Sequence, residues 1–298
     1  MASARETILL TGAGGQLGRE LAAALPAVGD VVACDRSTLD LADAATIVKV
    51  VRDIAPRVIV NAGAYTAVDR AETERESAFA VNADAPGVLA EEARRTGALL
   101  IHYSTDYVFD GERTTPYDES ASVHPINVYG DSKLAGERAI AASGAAALTL
   151  RTSWVYGRHG RNFLVTMQKL AARQREVRVV ADQSGVPNWS RSLAQATTRL
   201  IGQGVERLVE RAGLYHLSAE GATTWYAFAR EILREQAQVH VTPITTAEYP
   251  TPARRPRYGV LDASRFARVF GFGMRDWQSV LHECLHSAPE PLHERRVH

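Results

Sequence analysis

Cysteine is almost absent: the 298 residues contain two, Cys34 and Cys284, too far apart for any metal-type spacing. That excludes a disulfide framework and a cysteine-built zinc site, and leaves two reduced, buried thiols as the expectation for a cytoplasmic protein. Net charge is absent too. Lys and Arg together number 34, as do Asp and Glu, so nothing draws the chain to nucleic acid or to an anionic membrane surface. No apolar run approaches the roughly 18 residues needed to span a bilayer. The opening stretch MASARETILLTG lacks the basic start and apolar core of a signal peptide. The nine histidines show no ligand spacing; His282 and His286 read as an exposed pair near the tail. Repeats and low-complexity linkers are likewise missing. With 46% apolar and 23% charged residues, the composition is that of an ordinary globular protein with ample core.

What is present is a regular alternation. Apolar runs of strand length occur at Thr7–Leu10, Val31–Cys34, Val58–Val60, Ala98–Tyr103 and Ala147–Leu150, with further short strands expected at Val177–Val180 and Leu214–Leu217. Helical patterns lie between them. In ADAATIVKVVRDIAP, Asp43 is placed to cap, Ile47, Val51 and Ile54 recur at helical spacing, and Pro56 stops the run. Gly97 ends a similar segment, and Thr224 is a candidate cap further on. Strand–helix alternation predicts an α/β fold: a Rossmann-type, doubly wound parallel sheet with a smaller C-terminal substrate-binding part. The expected division is a dinucleotide-binding domain over 1–155, with segments from about 175–220 returning to the sheet, and a mainly substrate-binding part over 156–298. The Pro- and Arg-rich TTAEYPTPARRPRYG is expected to be an ordered loop.

The first strand runs into ILLTGAGGQLGREL, where Gly12, Gly15 and Gly18 form G-x-x-G-x-x-G with Gly14 as an extra. Such glycines let the backbone turn tightly and approach a pyrophosphate, and the helix N-terminus that follows offers free N–H groups. A lone glycine run is a weak signal. Its context strengthens it: a strand before, a helix after, and an acid, Asp35, beyond the next strand to bind ribose hydroxyls. Arg36 beside it suits a 2′-phosphate, so NADPH and NADH both fit. Gln16 and Leu17 of the loop, Asp40 and Leu41 after the second strand, and Gly63, Ala64 and Tyr65 in NAGAYT complete the expected cofactor contacts. A simple strand exit is the alternative for NAGAYT.

In NVYGDSKLAGE, Tyr129 and Lys133 lie four residues apart on a helical pattern, hence on one face. A phenol titrates near pH 10; a nearby ammonium favours the phenolate, so the pair predicts a tyrosine made acidic enough to protonate an oxygen. The alternative is an ordinary surface pair. Upstream, HYSTDYVFDG ends a strand at Ser104–Thr105, where sites of open parallel sheets gather, and the Thr105 hydroxyl could hold the same substrate oxygen.

The glycine loop, Asp35, NAGAYT, STDYVF and YGDSK together resemble an extended short-chain dehydrogenase/reductase. HYSTDYVF, NVYGDSKLAGE, RTSWVYG and YPTPARRP are similar, more specifically, to the dTDP-4-dehydrorhamnose reductase family, across nearly the whole chain. The resemblance implies NAD(P)H-dependent reduction of the C4 ketone of a dTDP-6-deoxy-hexulose. It makes Tyr129 the proton donor, Lys133 its electrostatic partner and holder of the nicotinamide ribose, and Thr105 the polarising hydroxyl. It further implies Asp106 and Trp154 in the sugar pocket, Asn162 near the nucleotide diphosphate, and Arg254 and Arg255 on its phosphates. For Trp154 a core aromatic, and for the two arginines a solvated loop, are the alternatives. Related dehydratases carry an acid after Thr-Asp; Tyr107 stands here, which disfavours dehydration. Some members bridge dimers with a metal held by glutamates; here DQSGVPNWSRS places Arg191 near the expected acid and Asn188 where threonine is usual, and Glu20 alone makes no metal site. No metal is expected, and a monomer or homodimer is. Reduction of another dTDP-deoxysugar and a non-catalytic regulatory subunit are the competing readings.

Overall fold

The computed structural model describes residues 5–287. Five strands open the chain: β1 (Thr7–Thr11), β2 (Asp30–Cys34), β3 (Val58–Asn61), β4 (Leu99–Thr105) and β5 (Ala147–Thr152). With the later strand Gly213–His216 they form one six-stranded sheet, in spatial order Gly213–His216, β5, β4, β3, β1, β2, every neighbouring pair parallel. A parallel sheet needs helices on both faces, which is why its inner strands read as unbroken apolar runs. The alternation within β1 shows the two layers. Ile8 and Leu10 point into a core with Leu17, Leu21, Leu193 and Leu200, while Leu9 faces Ile47, Val51 and Leu89.

Local chemistry sets the element ends. Helix Ala44–Ile54 begins at Asp43, whose carboxylate accepts from the N–H groups of Ala45 and Thr46, and it ends at Ala55 in the left-handed region before Pro56. Gly97 closes Ala85–Thr96 with φ 73°, and Thr224 caps Trp225–Ile232. The YPTPARRP segment is loop, as its prolines dictate.

Of the 175–220 stretch expected to return to the sheet, Gly213–His216 joins it beside β5, and helix Ser190–Ile201 packs on helix Gln16–Ala24. Strand Glu176–Val180 departs from the expectation: it pairs in parallel with His240–Ile244 in a separate two-stranded ribbon. The reason is apolar continuity. Val177 and Val179 bury against Phe228, Ile232 and Leu281 in a second core that belongs to the C-terminal part.

The chain crosses from β2 back past β1 to reach β3, so connections leave β1 and β3 in opposite directions along the sheet. Ligand crevices of open parallel sheets lie at the carboxyl ends of such strands. The glycine loop leaves β1 there and NAGAYT leaves β3. No helix among the described residues is long and apolar enough to cross a membrane.

Candidate active site

At the end of β1 the backbone is packed too tightly for side chains. Gly12 has φ 68°, and a Cβ there would lie 2.5 Å from Cα of Gly63; a Cβ on Gly18 would lie 2.0 Å from the carbonyl oxygen of Gly12. Leu41 fills the far side of Gly63, so Gly12, Gly63 and Leu41 form one close contact. Helix Gln16–Ala24 starts directly behind, with no side chain capping its first N–H groups and no acid in its first turn. Asp35 lies beside Gly14 and accepts from the backbone N–H (2.9 Å) and hydroxyl of Ser37. Arg36 is exposed, and Asp40 holds a turn by accepting from the N–H of Ala42. The cradle, the uncapped helix end and the acid fit a dinucleotide pyrophosphate and ribose. Next to Ala64, the backbone N–H of Tyr65 is held by Asn82, and the Tyr65 hydroxyl donates to Glu74.

Helix Val128–Ser143 carries Tyr129 and Lys133. Asn127 caps it and donates to the carbonyl of Arg254 (2.7 Å), tying it to the Pro/Arg loop. Two glycines let the helix sink: a Cβ on Gly130 would meet the Tyr107 carbonyl at 2.1 Å, and one on Gly136 the Asn82 carbonyl at the same distance. Glu137 anchors the helix with a buried bidentate pair to Arg151 of β5 (2.6 and 2.8 Å), and Ser104 of β4 donates to the same carboxylate. Lys133 is buried, its nitrogen 2.6 Å from the Tyr103 carbonyl and 3.2 Å from His102 Nε2.

Thr105 ends β4 with its hydroxyl donating to Asp106 Oδ1 (3.1 Å) and lies beside Tyr129, whose ring meets that of Tyr107 edge-on at 5.5 Å. The expected acid phenol is not found in the protein by itself. Burial pushes Tyr129 up to about 12, the neighbouring Thr105 hydroxyl pulls back, and the Asp106 charge adds to the rise. The reason is where the lysine points: its ammonium is turned onto Tyr103 and His102, and burial pushes Lys133 down to about 8 against the charge of Glu137. Asp106, buried and accepting from Thr105, is raised to about 7 by desolvation.

Trp154 has φ 41°, a strained left-handed conformation that gathers at functional sites. One face of its indole stacks on Trp225 at 3.5 Å, and Gly185 lies against its Nε1 and Cε2 edge. The Asn162 amide is engaged within the protein. It caps helix Phe163–Ala171 and donates to Gln16 Oε1 and to the carbonyls of Gly157 and His159. Arg255 is paired bidentately with Asp69 at 2.6 and 2.8 Å, because burial beside Tyr107 demands a counter-charge, whereas Arg254 is exposed. Glu20 and Arg191 form an ion pair at 3.1 Å, and among the described residues no three His, Cys, Asp or Glu groups gather as a metal site. Asn188 is a buried hub, donating to carbonyls of Ser153 and Val186 and accepting from the Ala219 N–H.

Four site-shaping residues escaped the motif reading: Asn61, Asn82, His102 and Glu137. A signal existed for two of them. Asn61 and His102 directly follow the apolar runs VIV and LLI of their strands, and both are buried.

Residues 6–289 match the family described as RmlD substrate binding domain. The chain belongs to this reductase family. It is 43% identical to a dTDP-4-dehydrorhamnose reductase of Burkholderia thailandensis over 93% of this chain and 97% of that one, and 41% identical to the Escherichia coli K12 reductase over 91% and 94%. A Bacillus anthracis dTDP-4-dehydrorhamnose reductase solved in complex with NADP superposes with a TM-score of 0.88 at 37% identity, covering 94% and 98% of the two chains.

Proposed function

We propose that this protein reduces the C4 ketone of dTDP-6-deoxy-L-lyxo-4-hexulose to dTDP-L-rhamnose, with NADPH or NADH as the hydride source. The observation that carries the reading is the placing of Thr105, at the carboxyl end of β4, beside Tyr129, with Lys133 buried one helical turn further on. A nicotinamide held in the glycine cradle would supply a hydride to the carbonyl carbon, and the chain's own residues would orient and protonate the oxygen. Thr105 and Tyr129 lie side by side, so that both hydroxyls could reach one ketone oxygen. With its pKa raised to about 12, Tyr129 holds its proton throughout the neutral range, which suits it to give one to the developing alkoxide.

Gly12, Gly15, Gln16, Leu17 and Gly18, with Asp35, Arg36, Leu41, Gly63, Ala64 and Tyr65, are read as the cofactor cradle; Asp40 shapes the turn between them. Asp106 and Trp154 are read as the sugar side of the pocket. They are linked through a short chain of contacts: Asp106 packs on Gly259, whose N–H bonds to Ser184, and Gly185 packs on Trp154. Asn162 acts as a brace joining helix Phe163–Ala171 to the glycine loop. Arg254 is left as the arginine available to diphosphate. Residues 5–155, with helix Ser190–Ile201 and strand Gly213–His216, are read as the cofactor-binding unit, and the rest of the described residues mainly as the substrate-binding part. We place the protein in the cytoplasm, as a monomer or homodimer.

The test is oxidation of NADPH, followed by absorbance, with that hexulose and with other dTDP-4-ketosugars. Turnover of the lyxo-hexulose with the highest kcat/KM supports the reading. Turnover of a different ketosugar alone transfers the same chemistry to another deoxysugar, and no turnover with any of them returns the chain to a regulatory role.

A further inference from the structure

Beneath the site runs a row of four buried polar side chains from neighbouring elements. Thr11 ends β1, Asn61 ends β3, His102 lies in β4, and Lys133 projects from the helix above. Thr11 pairs with Asn61 and Asn61 with His102 in the sheet register. The Thr11 hydroxyl donates to Asn61 Oδ1 (2.7 Å), Asn61 Nδ2 is 3.0 Å from His102 Nδ1, and His102 Nε2 is 3.2 Å from the Lys133 nitrogen. All four are nearly or wholly inaccessible to water. Unpaired polar groups at such depth are costly, so each hydrogen must have an acceptor.

A neutral imidazole has one donor and one acceptor, and which nitrogen is which follows from its partners. In the orientation where Thr11 donates to Asn61 Oδ1, the Asn61 amide donates to Nδ1, the imidazole proton sits on Nε2, and Lys133 must accept it as a free amine. With Lys133 as an ammonium, one N–H goes to Tyr103 and one to Nε2. The imidazole proton then sits on Nδ1, and a turned Asn61 amide accepts it with its carbonyl while Thr11 accepts from the amide NH2. Along the row, each arrangement sets a donor against an acceptor at every one of these contacts.

We propose that His102 is the positioning residue for Lys133, changing tautomer together with the Asn61 amide so that the lysine nitrogen is hydrogen-bonded in both its charged and its neutral form. The charged state carries three protons on the lysine nitrogen and one on Nδ1; the neutral state carries two and one on Nε2. In passing between them an N–H bond of Lys133 breaks as Nε2 gains that proton, and Nδ1 releases its own as Asn61 turns, a net loss of one proton to solvent. The imidazole is neutral at both ends. Burial, and next the lysine charge, hold His102 well below the ordinary histidine range, and Lys133 sits at about 8, close enough to neutrality for both forms to be reached. The other charged group acting on Lys133 is Glu137 a turn later on its own helix, itself paired with Arg151 of β5; Tyr129, a turn earlier, and Asp106 lie on the site side, away from the ammonium, and Thr11 and Asn61 carry no charge. The proposal rests on the reading of Lys133 as part of the site and gives it a partner.

The decisive measurement is made without substrate: 15N NMR of histidine-labelled protein, with the His102 signals assigned by their loss in His102→Gln. A neutral ring that moves from the Nδ1–H to the Nε2–H tautomer with a midpoint near pH 8 is expected. One tautomer throughout, or an imidazolium near pH 7, overturns the proposal whatever the chain reduces. In turnover, His102→Phe removes the ammonium's acceptor and disfavours the charged lysine. The alkaline limb of kcat/KM should then move toward acid by about one unit, a tenfold change in the proton equilibrium, and His102→Gln, which keeps a carbonyl acceptor, should restore most of it. Loss of rate or of folding in His102→Phe with the limb unmoved in His102→Gln and His102→Phe alike makes the residue a packing element and ends the proposal. An inactive native chain with the tautomer switch intact would instead sink the ketoreductase reading alone.

Discussion

The two ends of the site are built from different materials. At the carboxyl end of β1 the shape is made by backbone: Gly12, Gly18 and Gly63 approach one another where no Cβ fits, and the binding groups are peptide N–H groups. Two strands away, at the end of β4, the shape is made by buried side chains. Thr105, Asp106, Lys133, His102 and Glu137 are each nearly or wholly excluded from water, and each is held by a named partner. Backbone donors carry no titrating charge and tolerate solvent, which suits the grip on a cofactor that enters and leaves. Ionisable side chains acquire unusual proton affinities only when buried, which suits the end where a proton moves. The division also predicts separable failures, because a change at one end need not disturb the other.

The largest effect should come from the catalytic end. Tyr129→Phe removes the proposed proton donor and keeps the ring against Tyr107, so the helix and the glycine cradle should be undisturbed. We expect kcat to fall by about 10²–10⁴-fold, the usual contribution of a positioned general acid, with the Kd for NADPH unchanged by isothermal titration. A variant that keeps most of its rate would remove Tyr129 from the chemistry. One that loses NADPH binding as well would show that the two ends are coupled.

Next is a pH effect confined to the same end. The folded-state value for Asp106 is raised to about 7, far above that of an unfolded aspartate. A raised carboxyl stabilises the fold fully below its unfolded value, near pH 4, and this contribution is lost as pH rises through the folded value. The slope is at most about 1.4 kcal/mol per pH unit over that window and levels off above it. Asp106→Asn keeps the shape and an acceptor for Thr105 but cannot ionise. Its stability relative to the native chain, from urea unfolding, should therefore grow by about 2–4 kcal/mol between pH 4 and pH 7.5. A constant difference across that range would mean that Asp106 ionises freely and that the pocket is wetter than its burial implies.

How much of this was legible in the chain follows the same division. The cradle could be read almost residue by residue, since a backbone that must pass within contact distance of itself demands glycine wherever it does so, and glycine is visible in sequence. Strands β1 to β5 were legible because burial on both faces leaves apolar runs. The side-chain network was legible only in its motif members. His102 and Glu137 act through partners, Lys133 and Arg151, that lie 31 and 14 positions along the chain, a distance no local pattern spans. The same limit explains the misplaced proton affinity of Tyr129. Spacing on a helix put a cation beside the phenol, but the cation's direction was set by the carbonyl of Tyr103 on another element. Arg255 and Asn162 were legible as polar residues near the pocket, and their engagement with Asp69 and Gln16 was not, for the same reason.

The smallest effect should appear at the backbone end. In Gly18→Ala the new methyl would lie 2.0 Å from the carbonyl oxygen of Gly12 and 2.8 Å from Cα of Ala13. Both obstacles are main chain, so no rotamer relieves them and the loop must move away from helix Gln16–Ala24. Overpacking of this kind typically costs 1–3 kcal/mol. In the free protein the loop can relax outward and recover part of that strain. Binding NADPH draws it back against the helix end, so the cost reappears as lost affinity of about 10–100-fold. Once the cofactor is saturating, Thr105, Tyr129 and Lys133 are where they were, and kcat should lie within about twofold of the native value, since a change that weakens binding without touching the reacting groups leaves kcat unaltered. NADPH titration and steady-state kinetics on the same preparation separate the two quantities. A fall in kcat that matches the loss in affinity would show that the glycine loop also sets the approach of the reacting atoms, and the contrast between a backbone-made grip and a side-chain-made reaction centre would have to be abandoned.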